Sequence, residues 1–125
     1  MSDNTATILY RLVNDQLVAK IKINSDSQSQ DELIYIATDG ISLFFYSQIN
    51  SKIFHKLQNN PSCTIIFNEG IVRGKCKIIQ STDTRFHNYF KALDQRYLFL
   101  KEYKKNKEIW NVLIVIDPEN IEINK

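Results

Sequence analysis

The stretch SQINSKIFHKLQNNPSCTIIF, residues 47 to 67, carries the residue types and spacing best suited to chemistry. An alternating apolar strand gives way to Ser51 and Lys52, then to an amphipathic turn of helix that stops at Asn59, Asn60 and Pro61 before a second apolar strand. The first N–H groups of a helix have no intrahelical acceptor, and with a side-chain cation beside them they can hold a phosphate. Lys52 is such a cation, standing where the helix dipole does not favour one.

The other reactive side chains do not assemble into a motif. His55 and His87 fall on different predicted helices, so a composed metal site is not expected. Cys63 and Cys76 lie inside the apolar segments PSCTIIF and KCKII, with no second Cys or His at metal-ligand spacing. They read as two reduced, mostly buried thiols. The three glycines, Gly40, Gly70 and Gly74, exclude the Gly-rich dinucleotide and P-loop fingerprints. No nucleophile, acid or base stands out, which suits chemistry carried by a cofactor.

These residues must be positioned by a single small domain, residues 1–125, whose 43% apolar and 24% charged composition is globular. A net charge of +2 on scattered lysines excludes a nucleic-acid footprint and a polybasic membrane patch, so any positive site is local. No apolar run approaches the roughly 18 residues of a membrane span. The start, MSDNTATILY, lacks a basic stretch followed by an apolar one, and a cytoplasmic location is expected.

Apolar spacing predicts a short amphipathic helix over residues 5–15 with Ile8, Leu9, Leu12 and Val13 on its face. LVAKIKIN alternates as a half-buried strand, with Val18, Lys20 and Lys22 on one side. The polar tract 24–32 reads as a long loop. LIYIAT and SLFFYSQ flank a Thr-Asp-Gly turn, and residues 50–60 form a short helix capped by Ser51 or Asn50. CTIIF and IVRGKCKIIQ make two further strands, with Gly74 at a bulge or close approach. Residues 82–108 place Phe86, Tyr89, Phe90, Leu93, Tyr97, Leu100 and Tyr103 at helical spacing, in one long helix or two. The chain closes with a Val- and Ile-rich strand that Pro118 is expected to end, followed by a short extended piece, with Trp110 as a packing anchor. The sum is a mainly β (α+β) fold, an antiparallel sheet closing into a small barrel with helices at its rim.

That order, with DGISLFFYS, SK and KLQNNP in succession and IVRGKCKII after them, resembles the split barrel of the pyridoxamine 5′-phosphate oxidase-like FMN-binding superfamily across nearly the whole chain. The resemblance implies an antiparallel split β-barrel, a homodimer with cofactor sites at its interface, and FMN as cofactor. It puts Tyr46 and Ser47 at strand-end contact positions, Ser51 before the basic pair and Lys52 at the first basic position. The second basic position falls on Ile53. One charge-assisted phosphate bond contributes about 1.5 to 3 kcal/mol, so its loss weakens binding by roughly one to two decades. Candidate substitutes are Lys20, Lys22 and Arg73, with His55 and Lys56 a turn along the helix.

By this resemblance the chain is a flavin-dependent oxidoreductase of unassigned substrate. The Arg-x-His that binds pyridoxal phosphate in the true oxidases is absent from WNVLIVIDPENIEINK, so turnover of pyridoxamine phosphate is not expected. The alternatives are a non-enzymatic dimer that binds a flavin or other ligand, and a haem-binding relative. A haem ligand would be a histidine two residues before His55.

Overall fold

The computed structural model describes residues 4–16, 18–23, 32–47, 51–80, 82–96 and 112–124. Among the described residues three helices and six strands follow in the order α1 (Asn4–Asn14), β1 (Val18–Ile23), β2 (Glu32–Thr38), β3 (Leu43–Ser47), α2 (Lys52–Asn59), β4 (Ser62–Ile66), β5 (Gly70–Gln80), α3 (Phe86–Arg96) and β6 (Val112–Ile123). The strands close into an antiparallel barrel in the order β1-β2-β3-β6-β5-β4. Residues 24–31 of the polar loop, and Asn50, Tyr97, Leu100, Tyr103 and Trp110, lie outside the described residues.

Alternation along the strands divides the apolar side chains between two cores. Ala19, Ile21 and Ile23 of β1 point inward with Ile34, Ile36, Phe45, Ile65, Val72 and Ile114, and Leu9, Leu12 and Val13 of α1 join them from one side. The opposite faces of β3 and β6 present Phe44, Leu113 and Val115 to α3, whose Leu93 completes a second cluster edged by Phe86 and Tyr89. The rings of Phe44 and Tyr89 meet at a tilt of 55°, 4.8 Å between centroids. The aromatic stripe of α3 is therefore the lid of this outer core, as its spacing predicted. The outer faces of β1 and β4 receive no such cover from the described helices, and Leu33 and Tyr35 of β2 stand 68% and 49% exposed beside them.

Local chemistry explains the joints. In the β2–β3 turn Asp39 Oδ1 accepts from the N–H groups of Ile41 and Ser42 at 2.9 and 2.7 Å, and Thr38 Oγ1 donates to the Ser42 carbonyl at 2.7 Å. Gly40 supplies the left-handed φ of +87° that the turn requires.

Pro118 departs from expectation. It does not end the last strand but sits inside the 12-residue β6, opposite Gly74. The register slips between Arg73 and Gly74, so that Gly74 faces Pro118 while Arg73 faces Asn120. A proline lacks a ladder donor and is tolerated at such a bulge. Gly74 is the complementary device, since a Cβ there would stand 2.3 Å from the Asp117 carbonyl oxygen.

Candidate cofactor site

At the end of β3 the chain leaves the barrel through Ser47 and re-enters it at Ser62 by way of α2. Ser51 adopts an extended conformation (φ −74°, ψ 159°) and caps the helix, its Oγ accepting from the Phe54 N–H at 3.1 Å. The buried Ser47 hydroxyl lies 2.9 Å from the Ser51 hydroxyl, so strand end and helix cap are tied together. At the other end Asn60 caps α2 and its Oδ1 accepts from the Ser62 N–H at 3.1 Å, turning the chain into β4.

Lys52 is the first residue of α2, exposed, and without an ion pair among the described residues. Ile53 turns inward and packs against the barrel core, beside the buried Phe54 and Leu57. The slot where the resemblance places a second cation is therefore occupied by a core contact. His55 is exposed, its ring edge-on to Phe54 at 5.8 Å, and no group of metal-ligating side chains occurs among the described residues.

The remaining predicted residues divide between two surfaces. Lys20 and Lys22 project from the outer face of β1, where Lys22 pairs in register with Thr64 and Thr64 with Arg73. The barrel thus gathers Lys20, Lys22 and Arg73 on one exposed sheet face, and the Lys22 end of that face adjoins the strand end that receives α2. Arg73 is already engaged, 3.0 Å from Glu122 and 3.3 Å from Asn120 Oδ1 across β6.

Tyr46 is not brought to that face. Its ring lies under α3, 5.1 Å from Phe90 and 6.2 Å from Phe86. Burial first, and the negative charge of Asp94 second, push its hydroxyl well above the ordinary tyrosine range, so it stays protonated. Alternation along β3 points Tyr46 away from Phe45. Which helix it would meet depended on long-range packing.

The donor set at the head of α2 fits a phosphate: an exposed ammonium, a serine hydroxyl pair, and the first-turn N–H groups ahead of the capped Phe54, which a helix leaves without intrahelical acceptors. An open cleft of about 550 Å³ lies elsewhere, lined by Tyr10, Asn14, Thr38, Asp39, Gln95 and Arg96, and includes none of the residues predicted for the site. Its Arg96 is committed to the end of α1, donating to the Val13 and Gln16 carbonyls.

No family model and no curated protein matches this sequence. Solved structures do match its fold. A Listeria innocua protein proposed to be a pyridoxamine 5′-phosphate oxidase superposes with a TM-score of 0.68 at 14% identity, over 94% of this chain and 96% of that one. An FAD-binding protein of Mesorhizobium loti gives 0.68 at 16% identity over 93% and 89% of the two chains. An F420 reductase gives 0.65 at 20% identity over 90% and 94%. The chain has the split-barrel fold of the pyridoxamine 5′-phosphate oxidase-like proteins.

Proposed function

We propose that this split barrel binds a flavin, FMN in the first instance, and acts as a flavin-dependent oxidoreductase. The observation that carries the reading is the head of α2, where exposed Lys52 opens the helix beside the Ser47–Ser51 hydroxyl pair and the N–H groups ahead of Phe54 have no intrahelical acceptor. A bound flavin would supply the redox chemistry. The chain's part is to grip the phosphate and to offer an apolar surface to the ring. Leu33 and Tyr35 offer such a surface, flanked by Lys20 and Lys22 on the uncovered face of the barrel. Pyridoxamine phosphate is not its substrate on this reading.

The same face supports a homodimer. A sheet face carrying Leu33 and Tyr35 this exposed gains by being covered, and a second copy would also seclude the flavin from water. Light scattering at micromolar concentration should give twice the chain mass, and a monomer would remove this part of the reading.

Ile53 favours a second reading, a dimer that binds flavin or another ligand without catalysis, because a core contact stands where the resemblance places the second cation. Titration with FMN, followed by flavin absorbance and fluorescence, tests binding. Saturable binding that Lys52→Ala weakens tenfold or more supports the clamp. Binding without reduction by nicotinamide or deazaflavin donors would favour the ligand-binding reading, and no binding at high micromolar FMN would refute the flavin oxidoreductase and leave a dimer that takes another ligand or none.

A further inference from the structure

We propose that Cys63 and Cys76 form an oxidisable dithiol that closes into a disulfide between β4 and β5. The two sulfurs lie 3.0 Å apart, closer than van der Waals contact, although the residues are separated by a strand turn. Their approach follows from the register. Cys63 pairs with Gly74, so no side chain stands opposite it, and Cys76, two residues further along the same face of β5, reaches over the vacant position. The Cys76 N–H donates to the Pro61 carbonyl at 2.8 Å, which holds the two strands in this alignment. Bond formation requires the sulfurs to close by about 1 Å.

Access assigns the order of events. Cys76 is partly exposed and Cys63 is fully buried. With a small-molecule disulfide as oxidant, the Cys76 thiolate attacks one oxidant sulfur and expels the other as a thiolate. The Cys63 thiolate then attacks Cys76 Sγ in the mixed disulfide and expels the second thiolate. The protein loses two protons and two electrons, and the oxidant leaves as two thiols. The hydrogen bond with Cys63, then burial, then the neighbouring charges push the Cys76 thiol up, which makes the first attack slow at neutral pH.

The closed bond would staple β4 to β5 beside Pro61, where α2 runs into the barrel, and so couple oxidation to the anchoring of the helix that carries Lys52. The chain has only these two cysteines, so the pairing is unambiguous within one molecule.

The test equilibrates the reduced full-length protein with mixtures of reduced and oxidised glutathione, then counts alkylatable thiols by intact mass. Both thiols should disappear in one transition, with a mass loss of two hydrogens and a thermal midpoint raised by roughly 10 °C that reductant reverses. Cys76→Ala, which leaves the interior-facing Cys63 in place, should abolish the redox dependence of the midpoint. Two thiols that stay alkylatable at the highest oxidised ratio would overturn the proposal. So would a stable glutathione adduct on Cys76, or a disulfide joining two chains.

Discussion

Ser51→Ala and Lys52→Ala are adjacent substitutions whose consequences should separate. Ser51 Oγ accepts the Phe54 N–H at 3.1 Å and meets the Ser47 hydroxyl at 2.9 Å. Losing a serine N-cap costs about 1 kcal/mol. Losing the bond to the buried Ser47 hydroxyl costs about another 1 kcal/mol. Ser51→Ala should therefore lower the unfolding free energy by about 2 kcal/mol, or the thermal midpoint by roughly 8 °C for a domain of this size. Lys52 is exposed at the first helical position, where a cation opposes the helix dipole, so Lys52→Ala should leave stability unchanged or raise it by up to about 0.5 kcal/mol. FMN affinity should show the reverse priority for lysine, falling tenfold or more in Lys52→Ala. Urea unfolding at constant m-value and flavin titration on the same preparations provide both readouts. A Ser51→Ala protein within about 0.5 kcal/mol of wild type would show that the hydroxyl pair is not what ties β3 to α2. A Lys52→Ala protein that loses stability but keeps its FMN affinity would show that the lysine belongs to the fold and not to the clamp.

Gly74→Ala would drive a Cβ to 2.3 Å from the Asp117 carbonyl oxygen and 3.0 Å from Ile116 Cγ2. It should destabilise the barrel by about 3 kcal/mol in urea unfolding, and a loss under about 1 kcal/mol would contradict the close approach. Arg96→Ala removes the guanidinium that donates to the Val13 and Gln16 carbonyls at the end of α1. A loss of about 2 kcal/mol is expected, with faster amide exchange in the last turn of α1, and unaltered exchange there would refute the capping role. The Asp83 carboxyl is pulled down to about 2, first by the hydrogen bond from the Arg85 side chain and then by that from its backbone. Its folded value lies below the unfolded one of about 3.9, so its contribution is complete above that pH and is lost as pH falls through about 2. Carbon-13 NMR should find it titrating near the lower value, and Arg85→Ala, which keeps the backbone donor, should raise it part of the way to the ordinary range.

Much of this molecule was legible in local patterns. The period-two run Val18 to Ile23, the helical spacing of Leu9, Leu12 and Val13, and the stripe Phe86, Tyr89, Phe90 and Leu93 each told which face would be buried. Ser51 as a cap, Asp39-Gly40 as a turn and Gly74 as a close approach were equally readable, because each rests on backbone requirements within a few residues.

Pro118 was not legible in this way, because whether a proline ends a strand depends on what faces it, and Gly74 lies 44 residues away in sequence across a register slip. The same limit applied to the candidate site. Sequence alone identified Lys52 as a lone cation at a strand-to-helix junction, the resemblance added Tyr46 as a strand-end contact, and Lys20, Lys22 and Arg73 stood as candidate substitutes for the missing second cation. Only the closed barrel distinguished among them. It put Lys20 and Lys22 on an uncovered face, engaged Arg73 with Glu122, turned Tyr46 beneath α3 and set Cys63 against Cys76. Which way each side chain points is determined by the alternation of its own strand. What it meets there is decided by strand order and register, which arise from burying many apolar faces at once.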